Sequence, residues 1–91
     1  MMEQVLEYEL TAYIPVGRWE DIVHLLPSGY TKQRADGYWE GEQEDIVILT
    51  VFGDYSSLGR LESALVRTLI TAGEQAVLIK MGAVKASIYS R

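Results

Sequence analysis

Few side chains in this sequence have the type and spacing that catalysis needs. His24 is the only histidine. It falls outside the apolar face of the helix predicted around it, so we expect an exposed residue without the partner and pocket that a general base requires. Serine, histidine and aspartate all occur, but no segment has the spacing of a nucleophile elbow or a triad. The chain has no cysteine, which excludes disulfides and thiolate-bound metals. We predict no catalytic residue, no metal site and no cofactor.

Two short segments could hold an ion, and both have a simpler interpretation. Glu40, Glu42, Glu44 and Asp45 offer oxygen ligands for a divalent cation, but they lack the spaced ligands and the glycine of an EF-hand loop. We expect a solvated turn. Residues 53–60 could present a helix start to an anion, but the Gly-Lys-Ser/Thr element of a phosphate loop is missing. We expect ordinary helix capping there.

Aromatic and basic residues alternate in the segment Tyr30, Lys32, Arg34, Tyr38, Trp39. Such a pattern can stack and neutralise single-stranded nucleic acid. The net charge of −5 argues against that partner, and no basic-Gly-aromatic signature of the common RNA-binding module is present. We therefore predict that Arg34, Tyr38 and Trp39, beside an irregular hairpin, bind a small ligand or a protein.

The hydrophobic pattern predicts six elements. Residues 6–14 alternate as a half-buried strand, and Trp19, Ile22, Val23 and Leu26 form one face of a short helix over 18–26. Strands follow over 30–40 and 46–52, with a hairpin tip at 41–44. A longer helix spans 58–72 with Gly73 as its cap, and a last strand covers 76–90. Its apolar phase slips near Gly82, where we predict a β-bulge.

The order β-α-β-β-α-β predicts the split βαβ, ferredoxin-like α+β fold. It implies a single domain over residues 1–91 and a four-stranded antiparallel sheet, order 4-1-3-2, with both helices on one face. Residues 1–62 carry twelve acidic and four basic residues, whereas residues 63–91 carry one acidic and four basic residues. We expect this asymmetry to be resolved within the sheet, where Lys80 and Lys85 approach Glu7 and Glu9 on neighbouring strands.

Helices cover only one face of such a sheet. On the uncovered face we predict an apolar patch, which is typical of an interface. We expect the protein to associate with itself sheet to sheet or edge to edge, by default as a symmetric dimer. The predicted interface residues are Tyr13, Val47, Leu49, Val51, Leu78 and Tyr89.

The apolar runs are far shorter than the roughly 18 residues of a membrane span, and the first residues do not resemble a signal peptide. We expect a cytoplasmic protein without a membrane partner.

Three short segments carry a resemblance: 29–31 (Gly-Tyr-Thr), 37–41 (Gly-Tyr-Trp-Glu-Gly) and 73–78 (Gly-Glu-Gln-Ala-Val-Leu). Together they resemble a loosely defined group of small bacterial ferredoxin-like proteins of unknown function, over residues 5–90. More distantly, the topology is similar to nitrogen-regulatory PII-like and ACT-type regulatory domains. This similarity implies oligomers formed through the sheets and small ligands bound at subunit edges, but no effector motif of either family can be placed on these residues.

Three functions remain open at this point. The first is a non-enzymatic, homo-oligomeric regulatory domain that binds a small ligand or a protein partner, and it predicts a concave pocket at a subunit boundary. The second is an acidic inhibitor of another macromolecule, of the kind that phages or plasmids encode, and it predicts a flat acidic face. The third is a small dimeric monooxygenase-type enzyme, with a cavity between sheet and helices that uses His24 or a tyrosine.

Overall fold

A computed structural model describes residues 2–91 of the chain. The strands are β1 (Met2–Pro15), β2 (Thr31–Trp39), β3 (Glu42–Gly53) and β4 (Leu78–Ser90). A short helical segment follows β1, with α1 (Trp19–Ile22) between the 3-10 turns Val16–Arg18 and Val23–Leu25; α2 (Tyr55–Thr71) connects β3 to β4. The sheet is antiparallel, in the order β2-β3-β1-β4. This is the predicted order 4-1-3-2 written from the other edge, so the predicted fold is confirmed.

The core lies between the sheet and the helices. Alternate residues of β1 and β3 face α2, whose apolar residues recur at helical spacing on one side. Ile22 of α1 closes the layer and is fully buried. The other buried apolar residues are Leu10, Ala12, Ile14, Val47, Leu49, Val51, Leu58, Leu61, Leu65 and Leu69.

The assignment of Val47, Leu49 and Val51 to the uncovered sheet face was wrong. All three belong to the core, with exposed fractions of 5%, 0% and 2%. The register explains this, because opposed residues in an antiparallel pair point to the same face and these three lie opposite the core residues of β1. The other face of β3 carries Ile46, Ile48, Thr50 and Phe52.

The remaining residues of the predicted interface do lie on the uncovered face, which we call the open face. Tyr13 is opposite Ile48 of β3 and Leu78 of β4, and it is half-buried. Leu78 and Tyr89 are each 63% exposed. Their role in association stays a prediction.

The predicted bulge exists, but its predicted position was wrong. Pairing is regular through Gly82, which is opposite Glu9, and the register shifts between Leu6 and Tyr8 of β1. Those residues pair with Ala86 and Ala83, so β4 has its extra residue at 84–85. The sequence predicted the bulge at Gly82 because the apolar phase slips near that glycine. In the structure, Gly82 pairs regularly with Glu9, and Ala83 lies opposite Tyr8 on the helix face.

The expected pairing of charges across β1 and β4 is also not formed. Lys80 is opposite Thr11, next to Glu9, but Glu9 accepts a hydrogen bond from the Thr11 hydroxyl at 3.1 Å. Within residues 2–91, no ion pair joins Lys80 or Lys85 to Glu7 or Glu9.

The β1–β4 pair continues beyond the rest of the sheet. β3 ends at Gly53, opposite Tyr8, so residues 2–7 of β1 pair with β4 alone. The molecule is therefore elongated, with dimensions of 47 × 23 × 22 Å. The Tyr55 ring, at the start of α2, packs edge-on against Tyr8 where this ribbon leaves the sheet, with ring centroids 5.4 Å apart.

Both ends of α2 are capped. The Asp54 carboxylate accepts hydrogen bonds from the Ser57 amide at 2.8 Å and from the Ser57 hydroxyl at 2.9 Å. At the other end Gly73 has a φ of +110°, and the amides of Gly73 and Glu74 donate to carbonyls of the last helical turn. The predicted glycine cap is confirmed. Among residues 2–91, no helix combines the length and the hydrophobicity that crossing a membrane requires.

Candidate functional site

A cavity of about 720 Å³ opens on the open face, where β2, β3, the end of β1 and the α2–β4 connection meet. Its size is in the usual range for small-molecule sites. The floor is apolar and comes from Tyr13, Ile46 and Ile48. Trp39 stands at one side, and residues 73–78 form the opposite wall.

Small residues on β2 create the depth of this cavity. Ala35 lies opposite Ile46, and Gly37 lies opposite Glu44, on the same face as Trp39. A Cβ atom at Gly37 would lie only 3.3 Å from Cδ1 of Ile46. The space above Gly37 is therefore taken by the Ile46 side chain. Because Ala35 and Gly37 rise little above the sheet, a recess is left between the Trp39 ring and the floor at Tyr13.

The wall formed by residues 73–78 is held in place from outside the sheet. Arg18 donates from Nε to a carboxylate oxygen of Glu74 at 3.0 Å, and its guanidinium also lies 3.8 Å from Asp21. Both partners of the Arg18–Glu74 pair are largely shielded, with side-chain exposures of 34% and 22%. This contact joins the first helical segment to the α2–β4 connection and so fixes the edge of the cavity.

All charged residues that border the cavity are acidic: Asp36, Glu44 and Glu74. Glu74 is neutralised by Arg18, and Glu44 forms no ion pair within residues 2–91. In the described part of the chain, no lysine, arginine or histidine borders the cavity. A phosphate group would therefore find no cationic side chain there, whereas a cationic group would meet a favourable field.

The three predicted binding residues are divided between the two faces of the sheet. Trp39 lies on the open face beside the cavity and is 63% exposed. Arg34 is opposite Val47, and Tyr38 is opposite Gln43, so strand alternation points both side chains toward the helix face. Tyr38 also borders the cavity, but Arg34 does not.

The other two members of the aromatic–basic row, Tyr30 and Lys32, both pack against Trp19. Lys32 lies over the Trp19 ring, with its Nζ 4.9 Å from the ring centroid. Tyr30 packs at 5.9 Å from the same ring. These cation–π and aromatic contacts hold the first helical segment against β2.

The other candidate groups lie apart from the cavity or have a structural role. His24 is exposed on the second 3-10 turn. Glu40 and Gly41 form a tight turn with φ values of 51° and 82°, and no cluster of three metal-ligating side chains occurs in residues 2–91. The hydrogen bonds from the Ser57 amide and hydroxyl lower the pKa of the Asp54 carboxyl, consistent with its capping role.

Sequence reasoning missed the wall of the cavity. The sequence pattern predicts a helix cap at Gly73 and a strand from residue 76, whereas β4 begins only at Leu78. No local pattern in this segment indicates the wall, because Glu74 pairs with Arg18, 56 positions away in the sequence.

Comparison with solved structures identifies proteins of the same fold. The nitrogen regulatory PII-like protein CPII from Thiomonas intermedia K12, solved with ADP, AMP and bicarbonate, superposes with a TM-score of 0.69 at 12% identity, over 93% of this chain and 96% of that one. A Bacillus cereus protein related to NIF3 superposes with a TM-score of 0.56 at 12% identity, over 92% of this chain and 27% of that one. No protein-family model and no curated protein sequence matches the chain. The likeness is one of fold, and it confirms the predicted similarity to PII-like domains.

Proposed function

We propose that the protein is a non-enzymatic, homo-oligomeric regulatory domain that binds a small ligand in the cavity beside Trp39. The observation that carries this proposal is the cavity itself, with its apolar floor and the Trp39 ring at its side. A recess of this size with a few polar groups at its border is typical of small-molecule sites.

The charge of the cavity border restricts the chemical class of ligand that can bind. A planar or apolar group can lie against Tyr13, Ile48 and Trp39, and Glu44 favours a neutral or cationic substituent. A PII-like protein of the same fold was solved with ADP and AMP, which shows that the fold accommodates nucleotides in that protein. In this chain the acidic border disfavours the phosphates, so we expect a nucleoside-like or amine ligand.

Self-association is supported by the open face. Several exposed apolar side chains share it, and the cavity opens on the same side. A patch of this kind is commonly covered in solution. We propose that Tyr13, Leu78 and Tyr89 contribute to an interface between copies of the chain.

The position of the cavity favours this function over the two alternatives. An acidic inhibitor would present a flat face, whereas the open face is recessed beside Trp39. A monooxygenase-type enzyme would use a cavity between sheet and helices, where leucine side chains of α2 fill the space, and His24 is exposed elsewhere.

Trp39→Ala tests the proposal, with Phe52→Ala as the matched control, because Phe52 is an exposed aromatic residue of the open face that does not border the cavity. Native mass spectrometry of protein purified without denaturation should detect a retained small molecule in the wild type and in Phe52→Ala, and a reduced amount in Trp39→Ala. Adenosine, AMP and ADP serve as defined probes in thermal-shift titrations. Adenosine should bind most tightly, since each added phosphate meets Glu44. ADP binding more tightly than adenosine would contradict the charge argument. If no mass is retained and no probe stabilises the fold, the cavity is not the site.

A further inference from the structure

The two edges of the sheet differ in how open they are to another strand. The β4 edge carries a bulge at 84–85, a feature that prevents edge pairing. The β2 edge has neither proline nor bulge. All nine residues from Thr31 to Trp39 are in regular register with β3, and their outer backbone groups have no strand partner in residues 2–91.

Charges along the β2 edge restrict how a second copy could pair with it. Arg34 and Asp36 are exposed neighbours on the helix face of β2, and neither forms an ion pair within residues 2–91. In a symmetric antiparallel pair of β2 strands, opposed residues point to the same face, so the two-fold axis must pass through a residue. An axis at Arg34 would oppose two arginines, and an axis at Asp36 would oppose two aspartates.

An axis at Ala35 removes both conflicts. Arg34 then lies opposite Asp36 of the partner subunit, and the same pair occurs a second time by symmetry. Since Ala35 is the central residue of β2, this register also pairs the strand over its full nine-residue length. Lys32, already placed over Trp19, comes opposite Tyr38 of the partner subunit, where an aromatic face can accept its charge.

We propose that two copies of this chain pair antiparallel along β2, with the two-fold axis at Ala35, and form one continuous eight-stranded sheet. This deepens the homo-oligomeric part of the proposed function and rests on it, but it does not depend on the ligand. Ala35 and Trp39 border the cavity, so the second copy lies beside the cavity and supplies a further wall from its own β2. Edge pairing buries a small area, so we expect a dimer that dissociates on dilution.

Charge reversal tests the register. Arg34→Asp and Asp36→Arg each place like charges opposite each other at both pairs, so each should weaken the dimer about tenfold or more. An equimolar mixture of the two variants restores opposite charges at both pairs and should form heterodimers. The double variant R34D/D36R should form homodimers again. Arg67→Asp, an exposed charge reversal on α2, is the control and should not change association. Sedimentation velocity and native mass spectrometry over a concentration series measure these outcomes.

A crosslink tests the position of the axis independently. The chain has no cysteine, so Ala35→Cys introduces a single thiol that faces its own copy within the range of a disulfide. Mild oxidation should convert this variant to a covalent dimer, whereas Ala83→Cys on β4 should remain uncrosslinked. If the dimer resists both charge reversals and Ala35→Cys does not crosslink, the β2 register is wrong while the homo-oligomeric part of the proposed function stands. A wild type that is monomeric at every concentration overturns this pairing and the homo-oligomer together, and leaves ligand retention as a separate result.

Discussion

Leu49 and Ile48 are adjacent in β3 and point to opposite sides of the sheet, which gives a direct test of the face assignment. Leu49 is fully buried beneath α2, whereas Ile48 is half-buried on the open face. We expect Leu49→Ala to destabilise the monomer strongly, and Ile48→Ala to affect mainly the cavity floor. The two substitutions remove a similar aliphatic volume, so each is the control for the other.

The magnitude follows from burial. Leu49→Ala removes three carbons from a site with no exposed surface, which costs about 2.4 kcal/mol at about 0.8 kcal/mol per buried carbon. The cavity left behind adds to this, so we expect a total loss of about 3 to 4 kcal/mol. Ile48→Ala should cost about 1 to 1.5 kcal/mol, because part of its side chain already contacts water. For a chain of this length, the larger loss is a substantial part of an unfolding free energy of about 5 to 14 kcal/mol.

Urea denaturation followed by far-UV circular dichroism measures both losses by linear extrapolation. Measurements over a range of protein concentrations separate folding from association. A Leu49→Ala loss no larger than that of Ile48→Ala would refute the register of β1 and β3. If Leu49→Ala weakened association and left the stability of the monomer unchanged, Leu49 would have to lie on the open face instead.

Two further predictions concern the ends of α2. Asp54→Ala should lower the unfolding free energy near neutral pH, because the Ser57 amide loses its acceptor. The folded state lowers the pKa of the Asp54 carboxyl below 3.8, so the stability that the carboxylate contributes is complete above that value and is lost as the pH falls through the folded-state pKa. The unfolding free energies of variant and wild type should therefore converge in acid. A pH-independent difference would contradict the charge contribution. Gly73→Ala should cost about 1 to 3 kcal/mol, because the φ of +110° is strained for alanine, while its Cβ would make only an ordinary contact with the Arg18 guanidinium at 3.5 Å. Gly59→Ala, inside α2 with open space around it, is the control and should stabilise the fold by up to about 1 kcal/mol in the same urea titration.

Local patterns were sufficient to predict the topology. Residues 6–14 alternate strictly, and the leucines of α2 recur at helical spacing, so the type of both elements followed from periodicity. The rule that crossovers are right-handed then left one arrangement for two βαβ units. The structure has the same order, because each of these patterns matches a face that the core buries.

The faces of β3 could not be assigned in this way. Residues 46–52 are apolar at every position except Thr50, so alternation does not distinguish the core side from the open side. Only the register with β1 decides it, and register is a non-local property. The same holds for residues 2–5, whose strand structure depends on pairing with the end of β4.

The candidate site was predictable in part for a related reason. Trp39 was recognised by its size and its place beside a hairpin, and it borders the cavity. The floor at Tyr13 and Ile48 and the wall at residues 73–77 come from segments far apart in the chain. Their convergence depends on the Arg18–Glu74 contact, which no local pattern indicates.

β2 takes part in both proposals, because one of its faces lines the cavity and the other carries the charges of the proposed dimer contact. Its open face supplies Ala35, Gly37 and Trp39 to the cavity, while its helix face carries the charges Arg34 and Asp36 that set the pairing register. A ligand seated against Trp39 and Ala35 would therefore lie next to the second copy, on the opposite side of the sheet from the opposed charges. Binding free energies are reciprocal, so a ligand that contacts both copies must tighten the dimer by the same factor by which the dimer tightens the ligand. A ligand that binds Arg34→Asp and the wild type equally, under conditions where only the wild type is dimeric, would show that cavity and interface act independently.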